Sequence, residues 1–82
     1  MIKLYEEDEN RFSIADARRI GDELNLSWNE FDIVQFWMGL NVETEHDDVT
    51  DGDPILIAKI ALAHLREVKD YYTKLKEFVE NS

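Results

Sequence analysis

The chain contains no cysteine. Disulfides, thiolate zinc sites and cysteine nucleophiles are therefore excluded. Its 82 residues include one proline and three glycines, and no repeat or low-complexity linker interrupts them. No apolar run approaches the ~20 residues of a transmembrane helix. The acidic first residues do not read as a signal peptide, so the expected location is the cytoplasm and no membrane association is expected. Positive charge is scarce: 9 Lys and Arg stand against 19 Asp and Glu, a formal net charge of -10. Direct binding to a nucleic-acid backbone is disfavoured, because it needs a basic surface.

What is present argues for a folded domain. Apolar residues make up 44% of the chain and aromatics 11%, too many for a disordered acidic tail. The length allows one domain with one core, and a modest one.

Helix signals dominate. Residues 1–12 read as an extended or partly ordered arm carrying the acidic run Glu6, Glu7, Asp8 and Glu9. Ser13 is a good N-cap, with Asp16 three residues on as a short-armed capping box. Ile14, Ala17, Ile20 and Leu24 then share one helical face, and Asn25 is a plausible stop. Gly21 marks either a close helix approach or a tolerated weakness. Ser27 with Glu30 is a second capping pattern, and Asp32 with Gln35 a third. Ile33, Phe36, Trp37 and Leu40 predict an amphipathic helix over about 31–45, with Gly39 as a weak point or a tight contact.

Residues 43–53 hold six acids and no Lys or Arg. Asp53-Pro54 opens a third helix, aspartate as N-cap and proline at the first helical position. This helix is apolar around much of its girth, which predicts the central element. Asp70 can cap a fresh start; periodicity leaves open whether residues 54–80 form one helix or two. No strand alternation with hairpin turns is present. The expectation is an all-α single domain of three to four helices, with residues 1–12 as an acidic arm and 13–80 as the helical core. The expected core is Ile14, Ala17, Ile20, Leu24, Phe36, Leu40, Ile57, Ile60, Ala61, Leu65, Leu75 and Phe78.

A resemblance rests on several pieces taken together: Ala17-Arg18-Arg19-Ile20-Gly21, Trp28, Phe31-Asp32, Gln35-Phe36, Met38-Gly39, Val42-Glu43 and Glu45-His46. Val49-Thr50, Asp53-Pro54, the run from Lys59 to Leu65, Glu67 and Asp70-Tyr71-Tyr72 complete it. Over residues 12–76 the chain resembles a family of small uncharacterised proteins encoded by phages and bacteria. Members of that family often have proline where this chain has Lys69, which implies a helix break there. They also tend to carry a longer loop between the Glu-His and Val-Thr pairs, here cut to Asp47-Asp48. The resemblance implies a fold and an origin, with no settled activity.

Four constellations bear on chemistry. His46 and Glu43, with His64 and Glu67 one helical turn apart, can supply a divalent-metal site if two helices bring them together. The alternative is two ordinary helix histidines, one half-buried and one meeting a helix C-terminus. The segment from Asp47 to Asp53 fails as a calcium loop, because Val49 and Ala58 stand where carboxylates are needed. The acidic surface, with Asp47, Asp48 and Asp51 at its centre, suits a protein partner with a basic surface, mimicry of DNA being one form of this; a simple solubility device is the bland reading. Of Tyr71 and Tyr72, at most one is expected to be fully buried, because neighbours on a helix diverge by about 100°. The other is free to touch a partner. No Gly-rich phosphate loop and no Ser–His pairing is visible, so an enzyme is not expected. The expected function is a small non-catalytic binding protein acting through an acidic and aromatic face, with divalent-metal binding as the alternative.

Overall fold

The computed structural model describes residues 11–45 and 52–81. Among them are four helices: α1 (Ile14–Glu23), α2 (Ile33–Glu43), α3 (Pro54–Glu67) and α4 (Tyr71–Asn81). No strand occurs among the described residues, so the protein is an all-α bundle. The arm over residues 1–10 and the central acids of the 43–53 segment lie outside the described residues.

Each of the first three helices starts where its cap residue stands. Ser13 Oγ accepts from the Asp16 amide at 3.0 Å and Asp16 Oδ2 accepts from the Ser13 amide at 3.0 Å, a complete capping box. That backbone bond and the Arg19 guanidinium hold the Asp16 carboxyl below its ordinary range. Asn25 takes φ +60° and ends α1 as a left-handed residue, while the Leu26 amide donates back to the Gly21 carbonyl at 2.9 Å. Asp32 accepts from the Val34 amide at 2.8 Å, and Asp53 from the Ile55 amide at 2.9 Å with Pro54 just inside the helix. The 27–31 connection turns through bonds from the Glu30 and Phe31 amides to the Ser27 carbonyl.

The break beyond Glu67 is real. Val68 leaves the helix with φ -139° and ψ 113°, so α3 and α4 are two helices rather than one.

The core lies between α2 and α3. Phe36, Leu40, Ile57, Ala58 and Ala61 have no exposed surface, and Tyr72 of α4 is 1% exposed. Two expected core residues lie outside. Ile14 is 41% exposed, because it is the first residue of α1 and overruns the bundle's rim. Phe78 is 72% exposed. It follows Tyr72 by six residues, which turns it about 240° around α4 and away from the face that Tyr72 buries. Leu24, Ile60 and Leu75 are half-buried. In exchange Phe12, Phe31, Ala58, Leu62 and Tyr72 join the core.

Candidate functional site

Three residues spaced four apart on α2 make a track for the start of α4. Gln35 Oε1 accepts from the amides of Tyr72 at 3.1 Å and Thr73 at 3.4 Å, and Gln35 Nε2 donates to Thr73 Oγ1. A helix leaves its first amides without intrahelical partners, and here a side chain from another helix supplies them. Asp70 offers its backbone carbonyl to Lys74 and its carboxylate to the Lys74 ammonium at 3.7 Å. One turn along α2, Gly39 makes room for the Tyr72 ring. One turn further, Glu43 Oε2 accepts the Tyr72 hydroxyl at 2.9 Å.

The same Glu43 oxygen faces His64 Nε2 at 3.5 Å. The imidazole stacks on Tyr71, with centroids 4.4 Å apart and planes at 4°, and meets Tyr72 edge-on at 6.3 Å. Glu43 is 7% exposed. Burial first, and the bond to Glu43 second, push the Tyr72 phenol well above its ordinary value. No buried side-chain nitrogen or oxygen among the described residues lacks a partner.

The candidate ligands and contact residues are therefore only partly gathered. Glu43 and His64 meet. Glu67 is exposed, and among the described residues no three His, Asp or Glu side chains come together in a way that can hold an ion. His46, Asp47, Asp48 and Asp51 lie outside the described residues. Tyr72 is spent in the core, so only half-buried Tyr71 of the pair keeps surface for a partner. A groove of about 450 Å³ lined by Trp28, Phe31, Ile33, Leu65 and Lys69, among others, opens elsewhere, and neither Glu43 nor His64 lines it.

The second gathering point is Arg11. Its Nη1 donates to Thr44 Oγ1 at 2.9 Å and its Nη2 to the Gly52 carbonyl at 2.7 Å. Thr44 and Gly52 stand one position inside the two ends of the acidic segment 43–53, and Arg11 itself follows the acidic run 6–9 by two positions. Phe12 beside it is fixed by Asn41 and Trp37 of α2, roles that periodicity did not signal: both residues were visible only as an ordinary polar position and a member of the apolar face.

Exposed Glu45 and Asp53 stand at the same place. Residues 1–53 carry 15 of the 19 acids but 4 of the 9 basic residues, so the charge is one-sided along the chain. Thr44, which holds Arg11, follows Glu43 in the chain, and the partners of Glu43 are His64 and Tyr72.

No curated protein and no solved structure matches the chain. A family model described as a protein of unknown function (DUF5661) matches residues 17–81, most of the chain. The chain belongs to that family of uncharacterised proteins.

Proposed function

We propose that this domain is a non-catalytic protein-binding module, of phage or mobile-element origin, whose acidic pole captures a partner with a basic surface. The observation that carries this reading is the Arg11 tie, which joins Thr44 and Gly52 and sets the root of the N-terminal acidic run beside both ends of the second one. Tyr71, stacked on His64, adds aromatic surface near the same end of α2. Charge of one sign concentrated at one end raises association rates with oppositely charged surfaces.

Capture from an extract of the native host tests it. A basic protein should be retained by the wild-type chain and released as salt rises, since exposed charges are screened beyond about 8 Å at physiological ionic strength. Changing Asp47, Asp48 and Asp51 together to asparagine should slow association by about tenfold or more while leaving the melting temperature within a few degrees, because none of the three belongs to α1–α4. Undiminished capture by the triple variant would remove the acidic-pole reading.

A second reading, a divalent-metal module using His46, His64 and the nearby carboxylates, draws on the 3.5 Å approach of Glu43 to His64. Zinc added to metal-free protein should then raise the melting temperature of the wild type and not of His64→Ala. Equal responses would end that reading.

A further inference from the structure

Arg11 and Phe12 are consecutive residues, yet the bundle holds them as a receptor holds a peptide. The Phe12 amide donates to Asn41 Oδ1 at 2.9 Å. Its carbonyl accepts from Asn41 Nδ2 at 3.0 Å and from Trp37 Nε1 at 2.8 Å. One carboxamide thus pairs with both main-chain groups of a single residue, as a neighbouring strand does. The Phe12 ring is 6% exposed. The Arg11 guanidinium lies 4.9 Å from that ring's centroid and reaches Thr44 and Gly52 with two of its donors. Main-chain pairing is indifferent to sequence. A buried aromatic ring and a forked cation are not, and together they select an Arg-Phe pair.

The residues around this site favour a different occupant from the one present. Exposed Glu45 and Asp53 stand next to the two groups that hold Arg11. The chain's own Arg11 is preceded by Glu6, Glu7, Asp8 and Glu9, which carry the same sign as the site's rim. A segment with basic residues before its Arg-Phe pair meets that rim with complementary charge. Covalent attachment adds to these contacts by giving the internal pair an effective concentration of order mM, against which a partner's segment must compete.

We infer that Asn41, Trp37, Thr44 and the Gly52 carbonyl form a recognition site for an Arg-Phe pair, occupied internally by Arg11-Phe12, and that a basic partner displaces them with its own Arg-Phe segment. The partner's overall charge is taken from the acidic-pole reading; the dipeptide selectivity stands on the contacts of Arg11 and Phe12.

The probe is a short synthetic peptide of sequence Lys-Lys-Arg-Phe-Ser with blocked ends. It is titrated into full-length wild type and full-length Phe12→Ala by calorimetry, with melting temperatures followed in parallel. Phe12→Ala should bind it at least tenfold more tightly than wild type, and the peptide should raise that variant's melting temperature. Replacing the peptide's arginine or phenylalanine by alanine, or adding Asn41→Ala to the variant, should each remove the gain. If Phe12→Ala does not fold, Phe12→Leu keeps most of the apolar volume, and the same ranking is required of it. Equal binding by wild type and variant, or equal binding of a peptide with lysines in place of Arg-Phe, would overturn the site while leaving the acidic-pole reading intact. Tight peptide binding to Phe12→Ala alongside undiminished partner capture by the triple asparagine variant would do the reverse: the site would stand and the acidic pole would not.

Discussion

Tyr72→Ala is expected to remove a large share of the protein's stability. The side chain is 1% exposed, among the largest fully buried ones, and it connects three elements. Removing a buried aromatic costs about 3–5 kcal/mol through lost transfer energy and the cavity left behind. An 82-residue domain has roughly 4–12 kcal/mol to lose. The melting temperature should fall by roughly 12–40 °C, since each kcal/mol moves a domain of this size by about 4–8 °C. Glu43 would also lose its hydroxyl donor while staying buried, which adds to the cost. Tyr72→Phe isolates that last part. It keeps the ring over Gly39 and removes only the bond to Glu43, for a loss of about 1–3 kcal/mol.

The same residue sets an alkaline limit. The folded protein keeps the Tyr72 phenol protonated beyond its ordinary range, chiefly through burial. The unfolded chain releases that proton near the ordinary value of about 10. Stability contributed by this group is therefore complete below pH about 10 and declines as pH rises above it, because the unfolded state then binds fewer protons than the folded one. Denaturant midpoints measured from pH 8 to 11 should fall more steeply for wild type than for Tyr72→Phe. Parallel curves would mean that Tyr72 is not held neutral in the core.

Gly39→Ala is the second large effect, and its sign is opposite to what helix propensity alone indicates. Alanine is favoured over glycine in a helix interior by about 1 kcal/mol. Here a β-carbon at residue 39 would stand 2.6 Å from Tyr72 Cε2 and 2.9 Å from Ala61 Cβ. Neither neighbour can give way easily. The Tyr72 ring is tied at its amide by Gln35 and at its hydroxyl by Glu43, and Ala61 Cβ is fixed to the α3 backbone. Over-packing of this kind typically costs about 1–3 kcal/mol, and the absence of slack puts this case at the upper end or beyond. A net loss of about 2 kcal/mol or more in chemical denaturation is expected after the propensity gain. Combined with Tyr72→Leu, the same change should cost less than the sum of the two single effects, because the ring that clashes is gone. A stabilising Gly39→Ala would show that α4 does not pack as described. Gly21 is a second tight position: a β-carbon there would overlap the half-buried Trp28 indole, whose Nε1 donates to Asp22 Oδ1 at 3.1 Å.

Local chemistry was readable residue by residue. Ser13, Asp32 and Asp53 each cap the helix that follows them, because a short polar side chain beside free amides needs nothing from the rest of the fold. Asn25 stops α1 because asparagine tolerates positive φ. The apolar spacing on α2 and α3 correctly placed Phe36, Leu40, Ile57, Ala61 and Leu65 inside. Periodicity failed at the edges. It treats every turn of a helix alike, whereas Ile14 sits past the rim and Phe78 on a face that no other helix covers with enough surface to bury it.

The candidate site was legible as residue types and not as an arrangement. Glu43 and His64 stood out in the sequence as possible ligands, and they do meet, but their meeting is organised by Tyr72, which had been left open as a surface residue. Gln35, Gly39 and Glu43 recur every four positions on α2, a spacing that places them on one face. Nothing in that spacing says that the face receives a tyrosine, nor that Gln35 caps a helix that begins 36 residues later. Likewise Arg11, Phe12, Trp37 and Asn41 are unremarkable in order, and become a recognition site only when the chain folds the arm's root onto α2.

By itself, then, the sequence determined the helical class, where the first three helices begin, the one-sided charge and the exclusion of cysteine chemistry. Those properties follow from single residues or from neighbours within one or two turns, whose geometry is the same in any protein. The tertiary structure decided whether residues 54–80 are one helix or two, which tyrosine is buried, what the glycine of α2 is for, and what holds Arg11 and Phe12. Each of these depends on groups 25 to 41 positions apart, or on the competition between continuing a helix and burying Tyr72 against Gln35, Gly39 and Glu43. Such pairings have no local signal, because the free energy that selects them arises only when the distant surfaces are already in contact.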